Sequence, residues 1–213
     1  MGFALEFFAV VGRARMPPEG SAPVRFPDIA RPWLLMLYQI IRATRPLLDC
    51  ALGAAEPASP FEVQLYDYFE QKKQDEHGHD TMLRDDLLKA GFTAGDIEAT
   101  PLNPFVAEVC GRQWYLMELV HPVAFLGYIG LLEGFFPSPE EIESLRVAGG
   151  LSVESFRTLR MHAQVDETHR RDLGRVLDVV PDAYRALVTD NGVRSAHLLQ
   201  QAFAYLVAQE KRQ

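Results

Sequence analysis

Cysteine is scarce in this chain. Cys50 and Cys110 are its only two, and they stand far apart. They form no metal-ligand spacing and no redox pair, which excludes a disulfide scaffold and points to a reducing compartment, the cytoplasm. Positive charge is also short: 21 Lys and Arg face 29 Asp and Glu, for a net charge of −8. No basic face is available to offset phosphate, so nucleic acid is excluded as a partner. Long apolar runs are missing too. The stretch from Pro122 to Phe136 is too short and too rich in glycine for a membrane span of about 20 residues. The opening "MGFALEFFAVV" lacks a basic leader and carries Glu6, so residues 1–26 read as a packing arm rather than a signal peptide. There is no internal repeat, no glycine-rich phosphate loop and no Ser/His/Asp arrangement. Nor does any period-two alternation suggest a sheet.

What is present suits a single α-helical domain over residues 1–213. Apolar residues make up 48% and charged residues 23%, ordinary values for a globular protein with a real core. Proline and glycine divide the chain into helical blocks, about seven in all. One runs from Phe26 to about Glu56, with Pro46 as the expected place of a bend. Another opens at Ser59 as N-cap, with Pro60 at the first helical position and Glu62 three residues after the cap, and stops at Gly91. Two more lie within Asn103 to Phe136, broken near His121–Pro122. "SPEEIESL" repeats the capping pattern at Ser138, and the segments Ser152–Val179 and Asp182–Arg212 complete the set.

Three polar clusters stand out. In "GYIGLLEG", Glu133 is the one charged residue of an apolar helix, and a carboxylate there must find a partner or neutralise. Its partner is either a metal, a core hydrogen-bond donor, or an arginine such as Arg42 or Arg45. In "HAQVDETH", His162, Asp166 and His169 are spaced i, i+4 and i+7, within roughly 60° on one helix face. Leu159, Val165, Leu173 and Val176 lie on or beside that face and turn it inward. Imidazole and carboxylate together suit iron, manganese or zinc held between helices. In "YFEQKKQDEHGHDTMLRDDL", Glu76 and His79 form a Glu-x-x-His pair, with Leu83 and Leu87 on the same stripe. Glu70 and His77 compete with them at i and i+7. Six such ligands, three of them carboxylates, balance much of the charge of two divalent ions. His121 reads as a cap before Pro122, and His197 as a core or interface residue.

The motifs "DEHGHD", "GYIGLLEG" and "HAQVDETH" resemble those of the heme-oxygenase-like diiron oxidases and oxygenases, with a match spanning most of the chain. The resemblance implies a heme-oxygenase-like all-α bundle, two Fe(II) ions (or an Mn/Fe pair) and activation of O₂ to oxidise a small amino acid, amine or fatty acid. Carried over residue by residue, the metal ligands are Glu76, His79, Glu133, His162, Asp166 and His169. Some members place the first histidine seven residues after the glutamate. From Glu76 that position is Leu83, so only Glu70 and His77 could follow that version. True heme binding needs an axial histidine on an early helix, and the first histidine here is His77. A cofactor-free, thiaminase-like enzyme on the same fold would need a nucleophile, for which Cys110 is the candidate. Phe125, Tyr128, Tyr38, Trp114 and Tyr115 are candidates for a substrate wall. A non-catalytic helical interaction protein is a third class, in which the apolar N-terminal arm and "RSAHLLQQAFAYLVAQ" could support a homodimer.

Overall fold

A computed structural model describes residues 2–16 and 25–210, with the side chains of 165–167 and 210 outside that description. Among the described residues there are ten α-helices, two single 3-10 turns and no strand. They are α1 (Phe3–Ala14), α2 (Phe26–Ala54), α3 (Pro60–Asp75), α4 (His79–Lys89), α5 (Ala94–Ala99) and α6 (Pro104–Leu119). After a 3-10 turn at Pro122–Ala124 come α7 (Phe125–Gly134) and α8 (Pro139–Ala148). A second turn at Glu154–Phe156 leads into α9 (Arg157–Asp178) and α10 (Asp182–Glu210).

The capping signals hold. Ser59 accepts a hydrogen bond from the Glu62 amide, and Ser138 forms a full capping box with Glu141. His121 is also a cap, its Nδ1 accepting from the Val123 amide at 3.1 Å. The α2 segment is one helix that runs through both Pro32 and Pro46. The single helix expected from Ser59 to Gly91 is instead two. Gly78 takes a left-handed φ of 79°, which glycine adopts without the Cβ penalty, and the chain turns there between α3 and α4. That break, the short α5 and the helical arm α1 bring the count from seven to ten.

The N-terminal arm is a helix of the core. Phe3, Phe7 and Val11 are buried on α1, which packs on α7, α9 and α10. The carboxylate of Asp178, at the end of α9, accepts from the Ala4 amide at 2.9 Å and caps α1. A buried polar network ties α6 to α10: Asn191 Nδ2 donates to Gln113 Oε1 and to the Ala124 carbonyl, each at 2.7 Å. His197, expected in the core or an interface, is exposed on α10.

Helix α7 is the central element, almost entirely buried and pressed against α10. Its Gly127 permits that approach. A Cβ there would collide with the Val188 carbonyl oxygen and lie 2.7 Å from the Gly192 amide nitrogen. Neither backbone can yield without separating the two helices. Gly127→Ala is therefore expected to destabilise the protein by about 1–3 kcal/mol, within the usual range for overpacking. Thermal melting should show a midpoint lowered by several degrees.

Candidate metal site

The Gly78 turn has a functional consequence. Glu76 ends α3 and His79 begins α4, so the two meet across a tight turn rather than along one helix face. His79 is buried, and its Nδ1 lies 2.9 Å from Glu76 Oε2. From the facing helix α9, His162 packs edge-on against His79 with ring centroids 4.7 Å apart. One ligand atom from each of Glu76, His79 and His162 falls within 4.8 Å of the others. The other ring nitrogen of His162, Nδ1, lies 2.8 Å from the Thr158 carbonyl. A carbonyl can only accept, so Nδ1 carries the proton and Nε2 is left with a free lone pair. Metal-binding histidines are commonly oriented in this way.

A tertiary cap holds the two helices in register. Buried Asp86 on α4 accepts from the Thr158 amide in the first turn of α9, at 2.7 Å. Its carboxylate thus satisfies a helix N-terminus on a neighbouring element. His79, Leu83, Asp86 and Leu87 form the inner stripe of α4, so one helix face supplies ligand, packing and cap.

Glu133 lies apart from the three-residue cluster. Its Oε1 is 2.6 Å from Nζ of Lys72, a lysine only 4% exposed, and Tyr68 donates to its Oε2 at 3.5 Å. The arginine partners considered for Glu133 are thus replaced by a lysine. His169 Nε2 sits 3.8 Å from Asp75 Oδ2, and the Asp166 side chain lies outside the described residues. The competing pair does not converge here: His77 is exposed and meets Arg45 Nη1 at 3.1 Å, while Glu70 meets Gln74. Lys72 was missed in the sequence, although Leu65, Tyr68, Phe69, Lys72 and Glu76 follow helical spacing along one buried face.

These neighbours set the charge states. Burial works to raise the pKa of Glu76, but the His79 hydrogen bond and the charges of His162, His79 and Lys72 outweigh it. Glu76 is held below its ordinary value. Burial lowers the pKa of His162, with Glu76 opposing, and also lowers that of His169, where Lys72 adds to the effect. Tyr68 is pushed well up by burial and by Glu133. Glu76 is thus ionised and the two α9 histidines neutral near pH 7, the forms that bind metal.

Glu76 and His162 of the cluster line a cavity of about 1110 Å³, together with Lys72, Glu133 and His169; the rest of its wall is mostly apolar, with Arg15, Thr44 and Gln200 as further polar side chains. Phe125 and Tyr128 belong to that wall as expected, with Met36, Ile40 and Phe136. Trp114 and Tyr115 do not, being 39% and 62% exposed on α6. Tyr38 packs on a separate apolar cluster built around Leu34, Leu87 and Phe156.

No family model matches this chain, and no curated protein matches it. Solved structures do. A TenA homolog from Pseudomonas syringae pv. tomato str. DC3000 superposes with a TM-score of 0.75 at 14% identity, over 97% of this chain and 93% of that one. A domain of unknown function with a heme oxygenase-like fold, from Shewanella denitrificans OS217, gives 0.65 at 15% identity, over 95% and 88%. The fold is therefore heme-oxygenase-like and all-α. Likeness at this identity carries the fold alone, and chemistry must be argued from the site.

Two expectations follow. Asp86→Ala leaves a buried amide without its acceptor and should cost about 1–3 kcal/mol. Chemical denaturation would measure that loss. The second concerns pH. Because the folded-state pKa of His162 and His169 lies below the unfolded value, the unfolded chain takes up protons first as pH falls. Their contribution is full above the ordinary histidine value and is lost below it. The urea midpoint should therefore drop from pH 8 to pH 5.5, and less so in the His162→Gln, His169→Gln double variant.

Proposed function

We propose that this protein is a metal-dependent oxidoreductase that activates O₂ to oxidise a small, largely apolar organic molecule such as an amine, amino acid or fatty acid. The observation that carries the reading is the convergence of Glu76, His79 and His162 within 4.8 Å, two of them, Glu76 and His162, lining a largely apolar cavity. One carboxylate and two imidazoles fit a divalent iron or manganese ion, and the set leaves coordination positions open. The ion, when bound, supplies the capacity to reduce O₂. The chain's own part is to orient and to enclose. Thr158 fixes the His162 tautomer, Asp86 holds α4 against α9, and Phe125, Ile129 and Phe136 give the cavity an apolar wall. The two-iron arrangement implied by the sequence resemblance would further require Glu133, Asp166 and His169.

A second reading is a cofactor-free enzyme of the thiaminase-like kind, and the TenA homolog among the structural neighbours favours it at least as much on fold grounds. That reading needs a nucleophile. Cys110 is buried, and burial raises its pKa, which is unfavourable for a thiolate. Its side chain is set in the core and does not line the large cavity.

Anaerobic addition of Fe(II), followed by desalting and metal analysis, separates the two. Stoichiometric iron in the wild type, with at least a tenfold affinity loss in His162→Ala and Glu76→Ala, is expected, as is iron-dependent O₂ consumption. Trace iron in the wild type would sink the metal reading. Turnover of a thiamin-like substrate without metal, abolished by Cys110→Ser, would establish the alternative.

A further inference from the structure

Lys72 is out of place among metal ligands. It rises from α3 one helical turn before Glu76, on the same inner face as Tyr68, and its head group is buried. The ammonium lies 2.6 Å from Glu133 Oε1 and 4.0 Å from Asp75 Oδ2, while Asp75 in turn faces His169 Nε2 at 3.8 Å. One fixed positive charge therefore stands among the groups that the second half of a two-metal centre would use. Its field also reaches Glu76, His162 and His169.

Resting on the metal reading above, we infer that this chain binds a single metal ion, on Glu76, His79 and His162, and that the Lys72 ammonium holds the place of a second ion beside Glu133. Three observations support it. The first cluster is complete without Glu133, since its three donors already converge. Glu133 already has a cation at ion-pair distance, and Tyr68 supplies its other oxygen with a hydrogen bond. A second divalent ion at Glu133 would have to displace a buried ammonium or lie against it, and both like-charge contact and an unpaired buried lysine are unfavourable. Two imidazoles and one carboxylate around one ion are also the donor set of mononuclear non-heme iron oxygenases, in which the remaining positions stay open. Lys72 lines the same cavity as Glu76 and His162.

The test is metal stoichiometry, which needs no substrate. Anaerobic Mn(II) or Co(II) titration of the wild type should saturate at one equivalent per chain, and bound Mn(II) should give an uncoupled six-line electron paramagnetic resonance spectrum. Lys72→Met, which keeps length but removes charge, should take up two equivalents and show an exchange-coupled signal. Lys72→Arg should stay at one. Two equivalents in the wild type, or one in a folded Lys72→Met, would overturn the inference. If Lys72→Met does not fold, the wild-type count still decides, with Lys72→Gln as the second variant. No binding by the wild type would remove the metal reading itself, a result distinct from a count of two.

Discussion

A carboxylate set in an apolar helix must meet a cation, and in this protein the cation is Lys72. The pair between Lys72 and Glu133 bridges α3 and α7 at the centre of the bundle, with Tyr68 on the second carboxylate oxygen. Neither charge is tolerable there without the other, because desolvation of a lone ion costs several kcal/mol. The pair links α3, which packs on α2 and α9, to the buried helix α7. With α3 so placed, its C-terminal residue Glu76 faces the cavity that α7 lines.

The rest of the site is built by caps rather than by charge. The left-handed turn at Gly78 swings His79 back onto Glu76, and Asp86 then anchors α4 to the first turn of α9. These two devices bring His79 and His162 to within ring contact. The first is closed by a side-chain contact between His79 and Glu76, the second by a backbone amide of α9. Sites supported in this way hold their geometry without help from a ligand.

The fold leaves the chemistry open. A heme-oxygenase-like bundle has a TenA homolog among its structural neighbours, and the same architecture serves unrelated reactions. Its cavity brings together two carboxylates, Glu76 and Glu133, two histidines, His162 and His169, and the buried Lys72 ammonium in a largely apolar wall, and the buried thiol of Cys110 stands apart from it.

Much of this was legible in the residues alone. The all-α class, the caps at Ser59 and Ser138 and the break at His121 follow from local patterns, and the resemblance singled out Glu76, His79, Glu133 and His162 as candidate ligands. Capping and periodicity act over a few residues, so sequence encodes them directly. The split at Gly78 was not legible, since a glycine inside a helical pattern is often simply tolerated. The inward turn of Lys72 was also hidden, because lysine is almost always solvent-facing and only a buried acid on another helix makes burial acceptable. The sequence by itself thus determined which residue types were available and where several helices start. Only the tertiary structure decided which of them meet, because the meeting of Lys72 with Glu133, and of His79 with His162, depends on packing between segments far apart in the chain.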